Sequence, residues 1–251
     1  MNNKSVYQSE NVVKSYSKSD YILAAEKIIF EKYGACISNG FVLDLGIGGG
    51  RTTRVLSRIS KQYLGIDYSP SMIESCKQSF PTVDFAVADA SELSFIFSDS
   101  VDFCLFSFNG IDCVSIDVRQ LIYKEIYRVL KPDSLFVFSF HNSQCIPDLY
   151  KLQFPKNPLN WVKELNRYKK IREYNGNYKT YYQENFFSIY DGAENFSTNV
   201  LYSKPEFQVS DLQTNNFEIV NLLDAESGRF LDEKSLNSIK CPWIYVVAKK
   251  S

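Results

Sequence analysis

The sequence predicts an α/β fold in which a mostly parallel sheet carries helices on both faces. Short apolar segments alternate with segments of helical periodicity from about residue 40 to residue 142. One of these segments, Val101 to Phe108, is hydrophobic almost throughout. Strands of a parallel sheet have this composition when helices cover both faces of the sheet.

A glycine-rich stretch follows the first predicted strand, Phe41 to Leu45. Asp44, Gly46, Gly48 and Gly50 form the pattern D-x-G-x-G-x-G. Glycine adopts backbone angles that are closed to other residues, and without a Cβ it lets a ligand approach the main chain closely. The stretch therefore predicts a strand and a tight turn that hold a ligand against bare backbone, followed by a helix.

The ligand is not expected to be a dinucleotide. The dinucleotide pattern G-x-G-x-x-G needs a third glycine where this chain has Arg51. For Arg51 itself a surface ion pair is expected, although a phosphate or carboxylate of a substrate is an alternative partner.

Acidic residues follow the next two predicted strands. Asp67 ends the strand Tyr63 to Asp67, and an acid at this place in a βαβ unit can accept hydrogen bonds from both hydroxyls of a ribose. The alternative is a cap for the helix that starts near Pro70. Asp89 follows the strand predicted from Phe80 to Val87, and its alternative is a solvent-facing turn. For Asp67 we favour the ribose role.

The fourth and fifth predicted strands also end in polar residues. Asn109 and Asp112 follow the strand Val101 to Phe108, and His141 follows the strand Leu135 to Phe140. Ligands of open α/β sheets bind outside the carboxyl ends of the strands. We therefore expect these three residues to face a reacting centre.

These motifs together resemble those of the class I S-adenosylmethionine-dependent methyltransferases. The segment YRVLKPDSLFVFSFHN resembles the late motif of that family, except that Asp133-Ser134 replaces the usual glycine pair. The resemblance covers residues 10–142 and 200–250. It implies a Rossmann-like sheet of seven strands with the last strand, Trp243 to Ala248, antiparallel, and a substrate lid inserted after the fifth strand.

The resemblance also implies the cofactor S-adenosylmethionine, with S-adenosylhomocysteine as product. It places the adenine beside Asp89 and Ala90, an apolar contact to the adenosine at Met72, and Tyr16 over the methionine end. The alternative for Tyr16 is a helix that only covers one edge of the sheet. The expected cofactor-binding residues are Tyr16, Asp44, Gly46, Gly48, Gly50, Asp67, Tyr68, Met72, Asp89, Ala90 and Ser107.

The expected catalytic residues are His141, Asp112 and Asn109. His141 is the only histidine, and the ordinary pKa of the imidazole suits a general base at neutral pH. Asp112 can steer a cationic or hydroxylated substrate, or cap the next turn. Asn109 can only position a group, because an amide takes no proton at neutral pH. A histidine that merely orients a loop is the alternative for His141.

Three units are expected along the chain. Residues 1–142 form the cofactor-binding core with an N-terminal helix over residues 10–33, residues 143–200 form the lid, and residues 201–251 complete the sheet. The lid segment is aromatic and basic. Its predicted helix, Asn160 to Glu173, is either a solvated face or a binding surface.

The composition limits the binding partners and the cellular location that are expected for this protein. The formal net charge is −1, so there is no overall electrostatic case for nucleic acid. The six cysteines lack C-x-x-C spacing and are expected to be reduced, with no zinc site. No apolar run approaches a membrane span, and a cytoplasmic location is expected. The oligomeric state, a homodimer included, is left open.

The sequence thus predicts a methyltransferase that transfers a methyl group to oxygen or nitrogen of a small molecule, such as a sugar or a secondary metabolite. Two alternatives remain open. One is an RNA or protein methyltransferase, which the basic helix suggests. The other is a protein that binds S-adenosylmethionine without catalysis.

Overall fold

The computed structural model describes residues 3–17, 21–154 and 157–251. The helices are α1 (Asn3–Tyr7), α2 (Glu10–Ser17), α3 (Ala24–Lys32), α4 (Gly34–Asn39), α5 (Thr53–Ile59), α6 (Pro70–Ser79), α7 (Ile116–Val129), α8 (Ile146–Leu149), α9 (Trp161–Asn175) and α10 (Pro205–Thr214). The strands are β1 (Phe41–Leu45), β2 (Gln62–Asp67), β3 (Asp84–Val87), β4 (Val101–Phe106), β5 (Leu130–Asn142), β6 (Phe186–Ile189), β7 (Val200–Ser203), β8 (Phe217–Asp224), β9 (Phe230–Leu231) and β10 (Trp243–Lys250).

These strands form one mixed sheet in the order β3-β2-β1-β4-β5-β10-β8-β9. Strands β3, β2, β1, β4 and β5 are parallel, whereas β10 is antiparallel to both of its neighbours. This topology confirms the predicted Rossmann-like sheet with an antiparallel last strand. The short β9 and the hairpin β6-β7 extend it beyond the predicted seven strands.

The core consists of two apolar layers, one on each face of the sheet. Alternate residues of β5 point to opposite faces, as the pleat of a strand requires. Phe136 and Phe138 pack with Ile126 of α7 in one layer, while Val137 packs with Ile29 of α3 in the other. Because both layers are buried, the central strand β4 is apolar at nearly every position, as the sequence indicated.

The order of the strands determines where a ligand site is expected. The order reverses between β1 and β4: from β1 the chain adds β2 and β3 on one side, and then crosses to β4 on the other. The segments that leave the carboxyl ends of two such neighbouring strands diverge, and the crevice between them is where open α/β sheets bind ligands.

Two of the predicted strands are shorter in the structure. The strand expected from Phe80 begins only at Asp84, because the N–H of Phe80 closes α6 by donating to the Cys76 carbonyl (2.8 Å) and Pro81 has no N–H for a ladder. β4 ends at Phe106, because Phe108 and Asn109 are both left-handed (φ 55° and 57°). Such a corner costs roughly 1 kcal/mol or more per residue.

The helix predicted over residues 10–33 is two helices, α2 and α3. Leu23 is extended (φ −66°, ψ 153°) and precedes α3, and its N–H donates to the Glu26 carboxylate at 2.8 Å. Residues 18–20, which include the turn expected near Asp20, lie outside the described residues.

Asp133 replaces a glycine of the family's late motif and has a left-handed backbone (φ 64°). Asp is one of the few residues that tolerate this region, so the substitution preserves the turn.

The segment after β5 builds a second, smaller apolar cluster from α8, α9, β6 and β7, with Ile146, Ile171 and Phe187 among its buried residues. Strand β7 also pairs with the end of β5, His141 opposite Tyr202 and Asn142 opposite Ser203. The division into residues 1–142, 143–200 and 201–251 stays a prediction.

All six cysteines are free, and four of them are buried. Within the described residues, no helix is long and apolar enough to cross a membrane.

Candidate functional site

The loop after β1 turns through Gly46 and Gly48, whose φ angles are +61° and +52°. A Cβ at Gly48 would lie 3.1 Å from the ring of Tyr16, and one at Gly46 would lie 2.6 Å from the ring of Phe106. Both glycines line a cavity above the sheet. Gly50 (φ +82°) does not line it, because Gly50 packs against Phe80 instead.

Asp67 at the end of β2 lies beside this loop. One carboxylate oxygen accepts from the N–H of Gly48 (2.9 Å), and the other accepts from the N–H of Ser69 (2.8 Å). The cap of α6 is Ser69, whose Oγ accepts from the N–H of Met72 (3.4 Å). Burial raises the pKa of Asp67, and the two backbone hydrogen bonds oppose that shift. Asp67 is therefore fixed by main chain and lines the cavity.

The far end of the same cavity follows β3. Asp89 is half-buried and accepts hydrogen bonds from Ser91 through its N–H (3.1 Å) and its Oγ (2.8 Å). Ala90, Tyr68 and the buried Met72 line the cavity with it. The structure thus brings together residues from the ends of β1, β2 and β3, as the sequence predicted for a ligand at this edge.

Asp44 is the buried acid of the glycine motif. Its Oδ2 accepts from the hydroxyls of Thr52 (2.7 Å) and Tyr63 (2.9 Å), whereas its Oδ1 is buried without a partner among the described residues. Burial raises the pKa of Asp44 to about 7, against the opposing effect of the two hydroxyls. Asp44 lines a second, smaller cavity on the other side of the loop.

Arg51 forms a buried ion pair, so the expectation of a surface pair is wrong. Its two terminal nitrogens each lie 2.6 Å from a carboxylate oxygen of Glu26, and Arg51 is only 8% exposed. Ser107 and Tyr245 complete the cluster, with Arg51 donating to Ser107 (2.8 Å) and Tyr245 donating to Glu26 (2.7 Å). Burial alone would raise the pKa of Glu26, but the hydrogen bonds from Arg51 lower it below its usual value. Nothing in the sequence marked Glu26 or Tyr245.

The N-terminal helices cover the cavity. Tyr16 of α2 lies over Gly48 and lines both cavities, and its ring packs edge-on against Tyr7 (centroids 6.0 Å apart). Asn3 donates from one Nδ2 to the carbonyls of Cys113 (2.8 Å) and Asn199 (2.7 Å), and its Oδ1 accepts from the N–H of Asn199 (3.1 Å). Asn3 therefore fastens α1 to the inserted segment above the site.

The two cavities share five lining residues, which are Tyr16, Gly46, Gly48, Ser107 and Phe108. The larger cavity has a volume of about 540 Å³ and holds the strand-end residues. The smaller cavity has a volume of about 270 Å³ and is lined by Asp44, Arg51, Tyr21 and Glu194 among others. Volumes of this size suit a small-molecule ligand.

The three predicted catalytic residues form one buried cluster. Asp112 accepts from the N–H and from Nδ1 of His141 (both 2.7 Å) and pairs with the fully buried Arg119. Nε2 of His141 lies 3.2 Å from Nδ2 of Asn109, and the imidazole stacks on Tyr202 (4.7 Å). None of the three lines either cavity. Their catalytic role stays a prediction.

The residues present fit S-adenosylmethionine. A carboxylate at the end of β2 suits a diol, Asp89 and Ala90 offer an acceptor and a backbone N–H beside an apolar wall, and glycine backbone faces the space between the cavities. The unpartnered Oδ1 of Asp44 is the kind of buried acceptor that a ligand's ammonium group satisfies. The site thus offers partners for the ribose, the adenine and the ammonium group of the cofactor.

Comparison with known sequences supports this reading. A family model described as a methyltransferase domain matches residues 42–133. Protein 235L of Invertebrate iridescent virus 6, named as a methyltransferase, is 39% identical over 80 residues, which are 31% of this chain and 30% of that protein. A methyltransferase-like protein of Schizosaccharomyces pombe is 32% identical over 93 residues, 37% of this chain and 34% of its own. The matches span about a third of these relatives.

Solved structures share the fold. A protein of Pyrococcus horikoshii superposes with a TM-score of 0.60 at 19% identity, covering 98% of this chain and 93% of its own. An S-adenosylmethionine-dependent methyltransferase of Clostridium acetobutylicum has a TM-score of 0.62 at 15% identity and covers 90% of both chains. The 1,6-didemethyltoxoflavin-N1-methyltransferase of Burkholderia thailandensis has a TM-score of 0.54 at 15% identity, covering 99% of this chain and 82% of its own.

The domain match lies on the strands and loop that build the cavity, and the fold of the whole chain is that of these structures. Residues 42–133 therefore match a methyltransferase domain, and the chain has the fold of S-adenosylmethionine-dependent methyltransferases.

Proposed function

We propose that this protein transfers the methyl group of S-adenosylmethionine to nitrogen or oxygen of a small molecule, such as a sugar or a secondary metabolite. One observation carries the proposal. Asp67 and Asp89 follow successive parallel strands, and both line one cavity together with Gly46 and Gly48. A cavity of about 540 Å³ with few polar groups suits a cofactor and not a macromolecular surface.

Each polar residue has a role in holding the cofactor. Asp67 accepts from the ribose hydroxyls, Asp89 accepts from the adenine amine while the N–H of Ala90 donates to the ring, and Asp44 accepts from the ammonium of the methionine part. Tyr68, Met72 and Tyr16 supply apolar contact, and Ser107 joins the wall to the Arg51–Glu26 pair.

When bound, S-adenosylmethionine supplies a methyl group already activated by the positive charge on sulfur. The chain's own task is therefore to align the acceptor and to exclude water. Tyr16 and Tyr7 close one side of the cavity, and Asn3 fastens α1 across it through three hydrogen bonds. Positioning alone can supply effective molarities of about 10⁵ M or more.

Among their described residues, the cavity walls offer carboxylates, but no imidazole or amine, as general bases. Among the described residues, neither wall contains a histidine or a lysine, and Arg51 is paired with Glu26. Burial raises the pKa of Tyr7 and of Tyr16 well above neutrality, so both phenols stay protonated. These groups favour an acceptor whose nucleophilic atom needs little help in losing a proton.

His141, Asp112 and Asn109 support the site from outside the cavity in this proposal. Nδ1 of His141 lies 2.7 Å from Asp112 and Nε2 lies 3.2 Å from Nδ2 of Asn109, so both ring nitrogens have partners within the cluster. The cluster holds the left-handed corner after β4, which carries Phe108 into both cavities.

The basic helix α9 gives little support to an RNA or protein substrate. Arg167 is bound to Glu164 and to the carbonyls of Leu149 and Lys151, and Arg172 is bound to backbone carbonyls. Two of the five basic residues of α9 are thus used within the fold. The Burkholderia structure, which has the same fold, contains bound 1,6-didemethyltoxoflavin and S-adenosylhomocysteine.

Calorimetry with S-adenosylmethionine and S-adenosylhomocysteine tests the proposal. We expect both to bind, and Asp67→Ala to weaken binding by roughly a hundredfold, because two hydrogen bonds to a carboxylate contribute about 1.5–3 kcal/mol each. The matched control is Asp84→Ala, which removes an exposed carboxylate at the other end of the neighbouring strand β3.

If neither ligand binds the native chain, the proposal is refuted. Turnover against a panel of small amines and alcohols, followed as formation of S-adenosylhomocysteine, separates an enzyme from a protein that only binds the cofactor.

A further inference from the structure

The inserted segment contains three consecutive left-handed residues that are not glycine. Glu194, Asn195 and Phe196 have φ angles of 46°, 57° and 65°. Each such residue costs roughly 1–2 kcal/mol, so the surrounding structure must hold the turn in place. Strained turns of this kind occur at ligand sites more often than elsewhere in a fold.

The turn is anchored on both sides. The Asp191 carboxylate accepts from the N–H of Ala193 (2.8 Å), and the Thr198 hydroxyl donates to the Ala193 carbonyl (3.3 Å). Phe196 is buried and stacks on Tyr174 with ring centroids 5.5 Å apart. These contacts fix the direction in which Glu194 leaves the turn.

Glu194 lines the smaller cavity, opposite the glycine loop. The ring of Tyr16 lies close enough that the charge of Glu194 adds to burial in raising the Tyr16 pKa. The rings of Tyr21 and Phe108 line the same cavity. Among the described residues Glu194 has no ion-pair partner, so its carboxylate is available to a ligand.

The charges around the smaller cavity favour a cation. Arg51 is the one basic residue among its described lining residues, and Glu26 neutralises it at 2.6 Å. Asp44 and Glu194 are the acids among its lining residues. Aromatic rings beside a carboxylate are the usual surroundings of a bound ammonium group.

We propose that Glu194, with Tyr16, Tyr21 and Phe108, forms the acceptor subsite and selects small acceptors that carry a cationic nitrogen. The inference rests on the proposed function, because it assigns the acceptor of the same site. Asp44 and Glu194 then bind different cationic groups. The unpartnered Oδ1 of Asp44 lies under the glycine loop and takes the ammonium of the cofactor, while Glu194 on the inserted segment takes the cation of the acceptor.

Three small probes of matched shape and different charge test the subsite. Benzylamine, which is protonated at pH 7, benzyl alcohol and benzoate are titrated by NMR into the protein saturated with S-adenosylhomocysteine. We expect benzylamine to bind at least tenfold more tightly than benzyl alcohol, and benzoate to show no binding. Glu194→Gln should remove the preference, and Glu194→Lys should transfer it to benzoate.

The control is Glu184→Gln, an exposed acid of the same inserted segment that lines neither cavity, and it should keep the native preference. The affinity of Glu194→Gln for S-adenosylhomocysteine should stay within about twofold of the native value.

If Glu194→Gln bound S-adenosylhomocysteine tenfold more weakly and still preferred benzylamine, the proposed acceptor subsite would be overturned. Glu194 would then contact the cofactor. Equal binding of benzylamine and benzyl alcohol by the native protein would also overturn it. Failure of the proposed function looks different, since S-adenosylhomocysteine would then not bind the native chain at all.

Discussion

The two sides of the site are built in different ways. The side that we call the cofactor wall, Gly48, Asp67 and Asp89, comes from loops that directly follow neighbouring strands. The opposite side, the outer wall, comes from Asn3 and Tyr16 at the N-terminus and from Glu194 in the inserted segment. The sheet fixes the first wall through main-chain hydrogen bonds, whereas side chains far apart in sequence fix the second. In our proposal the cofactor binds to the wall that the sheet builds, and the acceptor binds to the wall that the N-terminal helices and the inserted segment build.

The largest effect is expected on stability, when the Glu26–Arg51 ion pair is broken. This pair joins the two walls to the core. Glu26→Gln leaves a buried guanidinium without its counter-charge, and such a loss costs about 3–5 kcal/mol of unfolding free energy. Urea denaturation of the free protein measures it. The matched change Glu31→Gln, at an exposed position of the same helix, should be nearly neutral.

A loss of less than 1 kcal/mol for Glu26→Gln would show that the pair is dispensable for the fold. The cofactor wall would then depend on its own backbone contacts alone.

The second prediction concerns the pH dependence of the cofactor wall. Because burial raises the pKa of Asp44 to about 7, the carboxyl is protonated below that pH and must release its proton before it can accept from an ammonium group. Affinity for S-adenosylhomocysteine should therefore fall as the pH falls, and it should be about tenfold weaker at pH 6 than at pH 8.

Calorimetry at both pH values measures this difference, and Asp44→Asn should remove it. An affinity that rises on acidification would contradict the assignment of Asp44 to the cofactor and would leave Glu194 as the acid that the ammonium meets.

The smallest effect is expected at the outer wall. Asn3→Ala removes three hydrogen bonds that fasten α1 over the larger cavity, but water can replace them when the helix moves away. We expect S-adenosylhomocysteine to dissociate about threefold faster, in a stopped-flow displacement experiment, without a change in unfolding free energy above about 1 kcal/mol.

The control is Asn11→Ala at an exposed position of α2. If Asn3→Ala weakens binding as strongly as Asp67→Ala does, the contrast between the two walls fails.

The sequence alone indicates where the cofactor wall lies, for a physical reason. A parallel strand, its glycine turn and the acid after the next strand are adjacent in sequence, and their spacing alone places them at one sheet edge. Asp67 and Asp89 were found in this way, and the cap that competed for Asp67 proved to be Ser69. The predicted start of the third strand at Phe80 was wrong, because an apolar residue at such a position fits the end of a helix as well as the start of a strand.

The outer wall was largely beyond prediction. Asn3 meets Asn199 across 196 positions of sequence, and no local pattern marks such a contact. Glu194 depends on a left-handed turn that its residue types do not indicate, since Glu and Phe seldom adopt it. Glu26 lay unnoticed within a helical stripe. His141 was found by its type and its place after a strand, and only the structure places its ring against Tyr202 and outside both cavities.

The pairing of β7 with the end of β5 has a consequence for the traffic of small molecules. Tyr202 and Ser203 extend the main sheet beside His141 and Asn142. The inserted segment therefore cannot swing outward without breaking sheet hydrogen bonds and separating the stacked rings of His141 and Tyr202. Helices α1 and α2 carry no such pairing. We therefore expect the cofactor and the product to enter and leave on the side of these helices. The rate at which α1 and α2 move away from the glycine loop would then limit the rate of cofactor exchange.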